Sequence, residues 1–345
     1  MNLGIFMPGE RRAVITKTPF RISFAGGGTD IPSYYKNFGT GAVLSGAMNR
    51  YVLVSVHQYF FENSVSVRYS KIEDDVTNVN EVHHPSVREI LKFLGVTKGV
   101  QISTIADMPA GGTGIGSSSA FAVGLLNAIH AWKGDKVSEK QLAEEAIHIE
   151  REVLKEAGGK QDQYTAAFGG LLLMEFFKDD TVNVKKVEIN EKDLRELEKH
   201  LLFMYSGKER SSNNIHAKQA AEVSSHIDAY KKMAELAHKQ CEVLENGKWQ
   251  ETGKLLHENW MLKKTLAGGI SDPYIDRVYN TALKNGAEGG KIMGAGGGGF
   301  FLFYADPDKH QQIVDAIPEF RYEQLGIEKD GSKVIYTQGD PVNNV

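Results

Sequence analysis

Cysteine is almost absent. Cys241 is the only one in 345 residues, which excludes an internal disulfide and a cysteine-rich metal centre. No apolar run approaches the ~18 residues of a membrane-spanning helix. There is no excess of positive charge: Lys plus Arg number 40 against 44 Asp plus Glu, for a net charge of −4. That balance argues against nucleic acid or an anionic membrane as partner, so any affinity for phosphate has to be local. Residues 1–13 do not resemble a secretory signal, because Glu10, Arg11 and Arg12 follow a very short apolar piece. The stretch is read as a peripheral arm of a cytoplasmic protein. No internal repeat is visible.

Glycine is the unusual presence. Twelve of its 36 residues fall in three clusters, Gly26–Gly28, Gly111–Gly116 and Gly294–Gly299, which suggests three close approaches of backbone to one ligand set. The 41% hydrophobic and 24% charged residues are those of an ordinary globular protein. The length allows two domains, expected at 1–195 and 196–345, with the charge-rich stretch Lys178–Lys199 between them.

The middle cluster carries the clearest chemistry. Pro109–Ala120 is a glycine-rich loop running through Ser117, Ser118 and Ser119 into an apolar segment. It is therefore a loop feeding a helix N-terminus, whose unpaired N–H groups and positive dipole end attract anions, most often phosphate. Gly111 and Gly116 have P-loop spacing, yet serines stand where its Lys belongs. The spacing of the dinucleotide fingerprint fails too. The remaining alternative is a hinge before a buried helix.

Periodicity outlines the rest. Strands are expected at Val14–Phe24 (interrupted at Pro19), Ala42–Leu44, Tyr51–His57, Val65–Tyr69, Val100–Ile105, Leu171–Phe177, Leu201–Tyr205, Lys291–Met293, Phe300–Tyr304 and Lys333–Tyr336. Helices are expected at Ser86–Leu94, after the serine run, at Ser138–Ala157, and near 211–246, 248–266, 272–285 and 306–316, with a helix or linker at Asn190–Glu198. The class is α+β. Within Ser138–Ala157, Glu150 lies on the row Ala143, Ile147, Leu154 and faces inward with apolar neighbours. On its own it fits a carboxylate paired with an arginine as well as it fits a metal ligand. Asp162, in the polar segment Lys160–Tyr164, reads either as a helix cap or as a site residue.

Taken together, the chain resembles the GHMP kinases. Three segments carry the likeness: Pro19–Asp30 (PFRISFAGGGTD), Pro109–Ala120 and Met293–Phe300 (MGAGGGGF). The resemblance implies a two-domain GHMP kinase fold, the first domain like domain 2 of ribosomal protein S5 and the second ferredoxin-like. ATP and Mg²⁺ are implied as cofactors. Nucleotide would lie on Pro109, Gly111, Gly112, Thr113, Gly114, Ile115, Gly116, Ser117, Ser118 and Ser119. Ser118 and Glu150 match the metal ligands, Asp162 the catalytic aspartate and Arg21 its arginine neighbour. Gly26, Gly27, Gly28, Thr29, Asp30, Gly296 and Gly297 would face the acceptor.

Gly27-Gly28 replaces the Glu-His of galactokinases, and Ala25–Asp30 is similar to the heptose 7-phosphate kinase branch, as is Gly207–Arg210. The implied reaction is phosphorylation of the anomeric hydroxyl of a heptose 7-phosphate, with Arg210, Lys208 and Lys17 as candidates for holding the phosphate already present. Alternatives are another sugar, such as fucose or arabinose, a mevalonate-type alcohol, or a non-catalytic sensor of sugar and ATP. A sugar or sugar phosphate and ATP would be the partners, with the chain a monomer or homodimer.

Overall fold

The computed structural model describes residues 12–109, 111–208 and 212–338. Of the 1–13 stretch, residues 1–11 lie outside these, and so does Arg210. Two sheets organise the chain. The first has eight strands: β1 (Ala13–Ala25), β2 (Gly41–Gln58), β3 (Val65–Arg68), β4 (Ile72–Val76), β5 (Val100–Ala106), β6 (Leu171–Phe176), β7 (Val182–Lys186) and the last strand of the chain, Lys333–Gln338. The two expected strands between 42 and 57 are one. The first half of β2 pairs with β6 and its second half with β5.

Pro19 does not interrupt β1. The last strand covers the outer edge of β1 only as far as Lys17. Beyond it the missing N–H of Pro19 leaves no ladder bond unmade, and the pairing with β2 shifts register after Pro19. The Arg21 N–H then donates to the Ile115 carbonyl at 3.0 Å, so the middle glycine loop takes over the edge.

A short helix, α1 (Pro32–Tyr35), follows β1, and α2 (Pro85–Phe93) precedes β5. Helix α3 (Ser117–Lys133) packs on β1 and β2. It is apolar nearly all round because it is buried nearly all round. The expected helix to Ala157 is shorter: α4 (Glu139–Ile147) passes into a π-helical turn, His148–Val153. Leu154 N–H bonds back to the Ile149 carbonyl, and Lys155 at φ 57° ends the helix. Helix α5 (Gln161–Phe168) occupies the polar segment, and α6 (Glu191–His200) is capped by the Asn190 side chain.

The second sheet is β11-β8-β10-β9, all antiparallel, with β8 (Leu201–Tyr205), β9 (Ala287–Ile292), β10 (Phe300–Ala305) and β11 (Arg321–Glu323). Between β8 and β9 lie α7 (Ser212–Glu222), α8 (Ile227–Glu245), α9 (Thr252–Lys263) and α10 (Pro273–Lys284), and α11 (Pro307–Ala316) joins β10 to β11. This is the strand–helix–strand–strand–helix–strand order of a ferredoxin-like unit. The expected helix over 211–246 is two, broken at Val223–Ser225. The final strand, β12 (Lys333–Gln338), returns to pair with β1. A single cut near 195 therefore does not separate the sheets, since the end of the chain belongs to the first.

Candidate active site

The site forms where the three glycine clusters meet. Gly116 caps α3 in the left-handed conformation, with φ 72° and no side-chain cap. The first turn of α3 lines a cleft of about 840 Å³. Gly111, Gly112, Thr113, Gly114, Gly116 and all three serines line it, whereas Pro109 and Ile115 do not. The third cluster packs against the second through bare backbone. A Cβ on Gly114 would sit 2.6 Å from the Met293 carbonyl oxygen, and the Phe300 N–H donates to the Thr113 carbonyl at 3.2 Å. The far end of the cleft is aromatic, with Tyr69 and Phe121 about His84.

Arg21 and Asp162 meet at the other end. Arg21 Nε donates to Oδ1 at 2.8 Å and Nη2 to Oδ2 at 3.0 Å, while Nη1 reaches the Gly114 carbonyl. Arg21 is 5% exposed, and a bidentate charge-assisted pair of this kind fixes both groups. Each carboxylate oxygen keeps a lone pair free for a further donor. The pair lines both the cleft and a second, smaller cavity of about 40 Å³, room for roughly three waters.

Glu150 is buried and has no arginine partner among the described residues. Its Oε2 accepts from the Ser119 hydroxyl at 2.8 Å and from Gln163 Nε2, and its Oε1 is buried without a partner. The π-helical turn carries it to the cleft wall, a common use of such turns. Ser118 is exposed on the same wall, so the serine bonded directly to Glu150 is Ser119. Burial and the Glu150 charge push Glu156 above the usual carboxylate range.

The acceptor candidates separate. Gly28 and Asp30 line the small cavity and Gly296 the cleft. Asp30 is almost fully committed. Its Oδ1 accepts from the Gly28 N–H at 3.0 Å, and its Oδ2 from the N–H groups of Lys160 at 2.9 Å and Gln161 at 3.0 Å. It thereby caps the helix that carries Asp162. Gly26 and Thr29 face packing rather than either cavity: the Gly26 N–H donates to Asn259 Oδ1, and the Thr29 hydroxyl donates to the Ala42 carbonyl. The Gly297 N–H donates to the Ile270 carbonyl. A Cβ on Gly27 would approach Ser23 Oγ at 3.0 Å and Lys263 Nζ at 3.7 Å. Lys17 pairs with Glu328, and Lys208 lies over the Tyr274 ring, so neither lines a cavity.

Six residues of the small cavity are not singled out by the sequence: Ser23 and Gln161, inside the first motif and the polar segment, and Arg151, His216, Gln219 and Lys263. Ser23 Oγ, Gln161 Oε1, His216 Nδ1 and Gln219 Nε2 are buried without partners, so the small cavity offers unmet polar atoms to a polar ligand. Lys263 Nζ donates to the Gly294 carbonyl at 2.7 Å. Burial, followed by the Arg21 charge, holds its ammonium down to about 8. Lys291, wholly buried with Nζ unpartnered, is pushed well below its usual range by burial and then by Lys263.

Comparisons with known proteins give the family. Residues 82–170 match the GHMP kinases N terminal domain and 241–323 the GHMP kinases C terminal domain. The D-glycero-alpha-D-manno-heptose 7-phosphate kinase of Campylobacter jejuni is 30% identical over 89% of this chain and 93% of its own. A crystal structure of a D-glycero-D-manno-heptose 1-phosphate kinase from Bacteriodes thetaiotaomicron superposes with a TM-score of 0.77 at 24% identity, covering 94% of this chain and 99% of that one. Lactococcus lactis galactokinase complexed with galactose shares the fold, with a TM-score of 0.73 at 16% identity over 93% of this chain and 95% of that one. The chain belongs to the GHMP kinases, and it is a phosphotransferase that uses an alcohol group as acceptor.

Proposed function

We propose that this sugar kinase transfers the γ-phosphoryl group of ATP to the anomeric hydroxyl of D-glycero-D-manno-heptose 7-phosphate. The 1,7-bisphosphate product would serve the making of nucleotide-activated heptose for surface glycans. The observation that carries the reading is the position of the Arg21–Asp162 pair, where the glycine-lined cleft meets a cavity of unmet polar groups. The name of the Campylobacter relative supports the choice of acceptor.

Phosphoryl transfer depends mainly on positioning and charge neutralisation. The loop amides and the start of α3 hold the phosphates in place of a P-loop lysine. The aromatic end about His84 receives the base. Asp162 accepts the proton of the attacking hydroxyl, a role worth roughly 10²–10⁴ in rate. Arg21 keeps that carboxylate oriented and faces the charge that develops. Glu150 and Ser118 are the residues to hold Mg²⁺, since an orphaned buried carboxylate oxygen beside hydroxyls suits a hard cation. When bound, Mg²⁺ supplies charge neutralisation at phosphate oxygens.

The test is an ATP-dependent panel of free and phosphorylated sugars, with the new phosphate located by phosphorus NMR. The reading expects an anomeric phosphate on the heptose 7-phosphate. Transfer only to unphosphorylated sugars, or to another position, would overturn it.

A further inference from the structure

We infer that Lys263, Arg151 and His216 form an anion subsite in the small cavity that holds the phosphate group the acceptor already carries; the assignment to the acceptor rests on the sugar-phosphate reading above. Lys263, Gln219, Ser23, Gly28 and Asp30 line only the small cavity, while the amides of the middle glycine loop line only the cleft. An anion bound at Lys263 therefore lies on the acceptor side of Asp162, away from the nucleotide loop.

The charges require such a ligand. Of the charged side chains that line the small cavity, Arg21, Arg151 and Lys263 stand against Asp30 and Asp162. Arg21 is already neutralised by Asp162, and Asp30 is occupied by backbone donors. Lys263 is 5% exposed, and among the described residues no carboxylate lies within 4.0 Å of its Nζ. Among the described residues the ion pair of Arg151 is a long 3.8 Å one with Glu156, and it donates its Nε–H to the Gly159 carbonyl.

A buried ammonium without counter-charge, as at Lys263, is costly, and the partly buried Arg151 is only weakly paired. The surplus positive charge, with the unmet polar atoms beside it, suits an anionic group such as a phosphate monoester, which carries roughly −1.5 to −2 at neutral pH. His216 and Gln219, three apart on one face of α7, add unmet polar atoms, and Gln219 is 1% exposed. The cavity volume of about 40 Å³ suits a phosphate group rather than a whole sugar phosphate. The sugar ring then occupies the adjoining end of the cleft, where Arg151, His216 and Asp162 line both spaces.

The test has two readouts. With the nucleotide loop filled by a non-hydrolysable ATP analogue, inorganic phosphate is titrated calorimetrically into wild type, Lys263→Met and Arg151→Gln. The KM values for a sugar phosphate and for the same sugar without phosphate are measured in parallel. Phosphate binding should weaken in both variants. KM for the phosphorylated acceptor should rise by roughly 10²-fold, as for loss of one partner in a buried charged contact, and far more than KM for the free sugar. Lys263→Arg should recover part of the loss, which separates charge from packing. Unchanged phosphate binding in both variants, or equal KM increases for both acceptors, would overturn the subsite. Phosphate binding that depends on Lys263 and Arg151 in an enzyme that turns over no sugar phosphate would support the subsite and overturn the proposed substrate.

Discussion

Arg21 holds both carboxylate oxygens of Asp162, at 2.8 and 3.0 Å, and with its remaining nitrogen reaches the backbone of the middle glycine loop at Gly114. One side chain thus joins the first motif, the second motif and the proposed base. Lysine has a single ammonium and cannot reproduce this fork. Arg21→Lys should lower kcat by on the order of 10²–10³ and lower the melting temperature as well. Steady-state kinetics and a thermal melt check both. Full activity in the variant would show that the fork is dispensable.

Gly116 stands over the same pair. A Cβ there would sit 3.1 Å from Arg21 Cγ and 3.2 Å from Asp162 Oδ2, on backbone at φ 72°. Gly116→Ala should cost about 1–2 kcal/mol from the left-handed conformation alone. It should also reduce kcat by displacing the pair, which denaturant melts and turnover measure separately. A stability loss with kcat intact would mean that the crowding is absorbed elsewhere.

Glu150→Gln keeps an acceptor for the Ser119 hydroxyl but removes the charge behind the orphaned Oε1. The Mg²⁺ concentration for half-maximal activity should rise by at least roughly 10-fold. The metal-free protein should be no less stable, because a poorly compensated buried charge is gone. A Mg²⁺ titration and a melt in chelator test the two halves, and an unchanged Mg²⁺ requirement would remove Glu150 from the metal site.

Lys263 makes stability depend on pH. Its folded value near 8 lies below the ordinary 10.5, so between those limits the unfolded chain binds more protons than the folded one. Stability from this group therefore rises with pH across that window. Below pH 8 both states are charged, and burial costs up to about 3 kcal/mol. Lys263→Met should accordingly be more stable than wild type at pH 7, with the gap closing as pH approaches 10. Denaturation curves at several pH values would show it. A constant gap would mean that Lys263 stays charged when folded.

Much of this was legible in the residues because the signals were local. The glycine loop running into serines and the inward Glu150 on its apolar row are both readable within a few turns of chain. Lys263 lies on a buried row with Leu256, Asn259 and Trp260, but the polar Asn259 in that row and Lys264 beside it make it look like a solvated residue. His216 and Gln219 carry no pattern of their own, and only packing against Asp162 and Lys263 gives them meaning. The return of β12 to β1 is a pairing between the two ends of the chain, which short-range periodicity cannot register. Asp30 is the subtler case. The motif pointed to its importance, while its place as the cap of α5 depended on a turn more than a hundred residues further on.

The most direct measurement is the turnover of Asp162→Asn, taken with its affinity for ATP. Asparagine keeps the size of the side chain and an oxygen for Arg21 but cannot take the proton of the attacking hydroxyl. The account predicts a fall in kcat of roughly 10²–10⁴ with nucleotide binding unchanged. A near-normal kcat would contradict it and remove Asp162 from the chemistry.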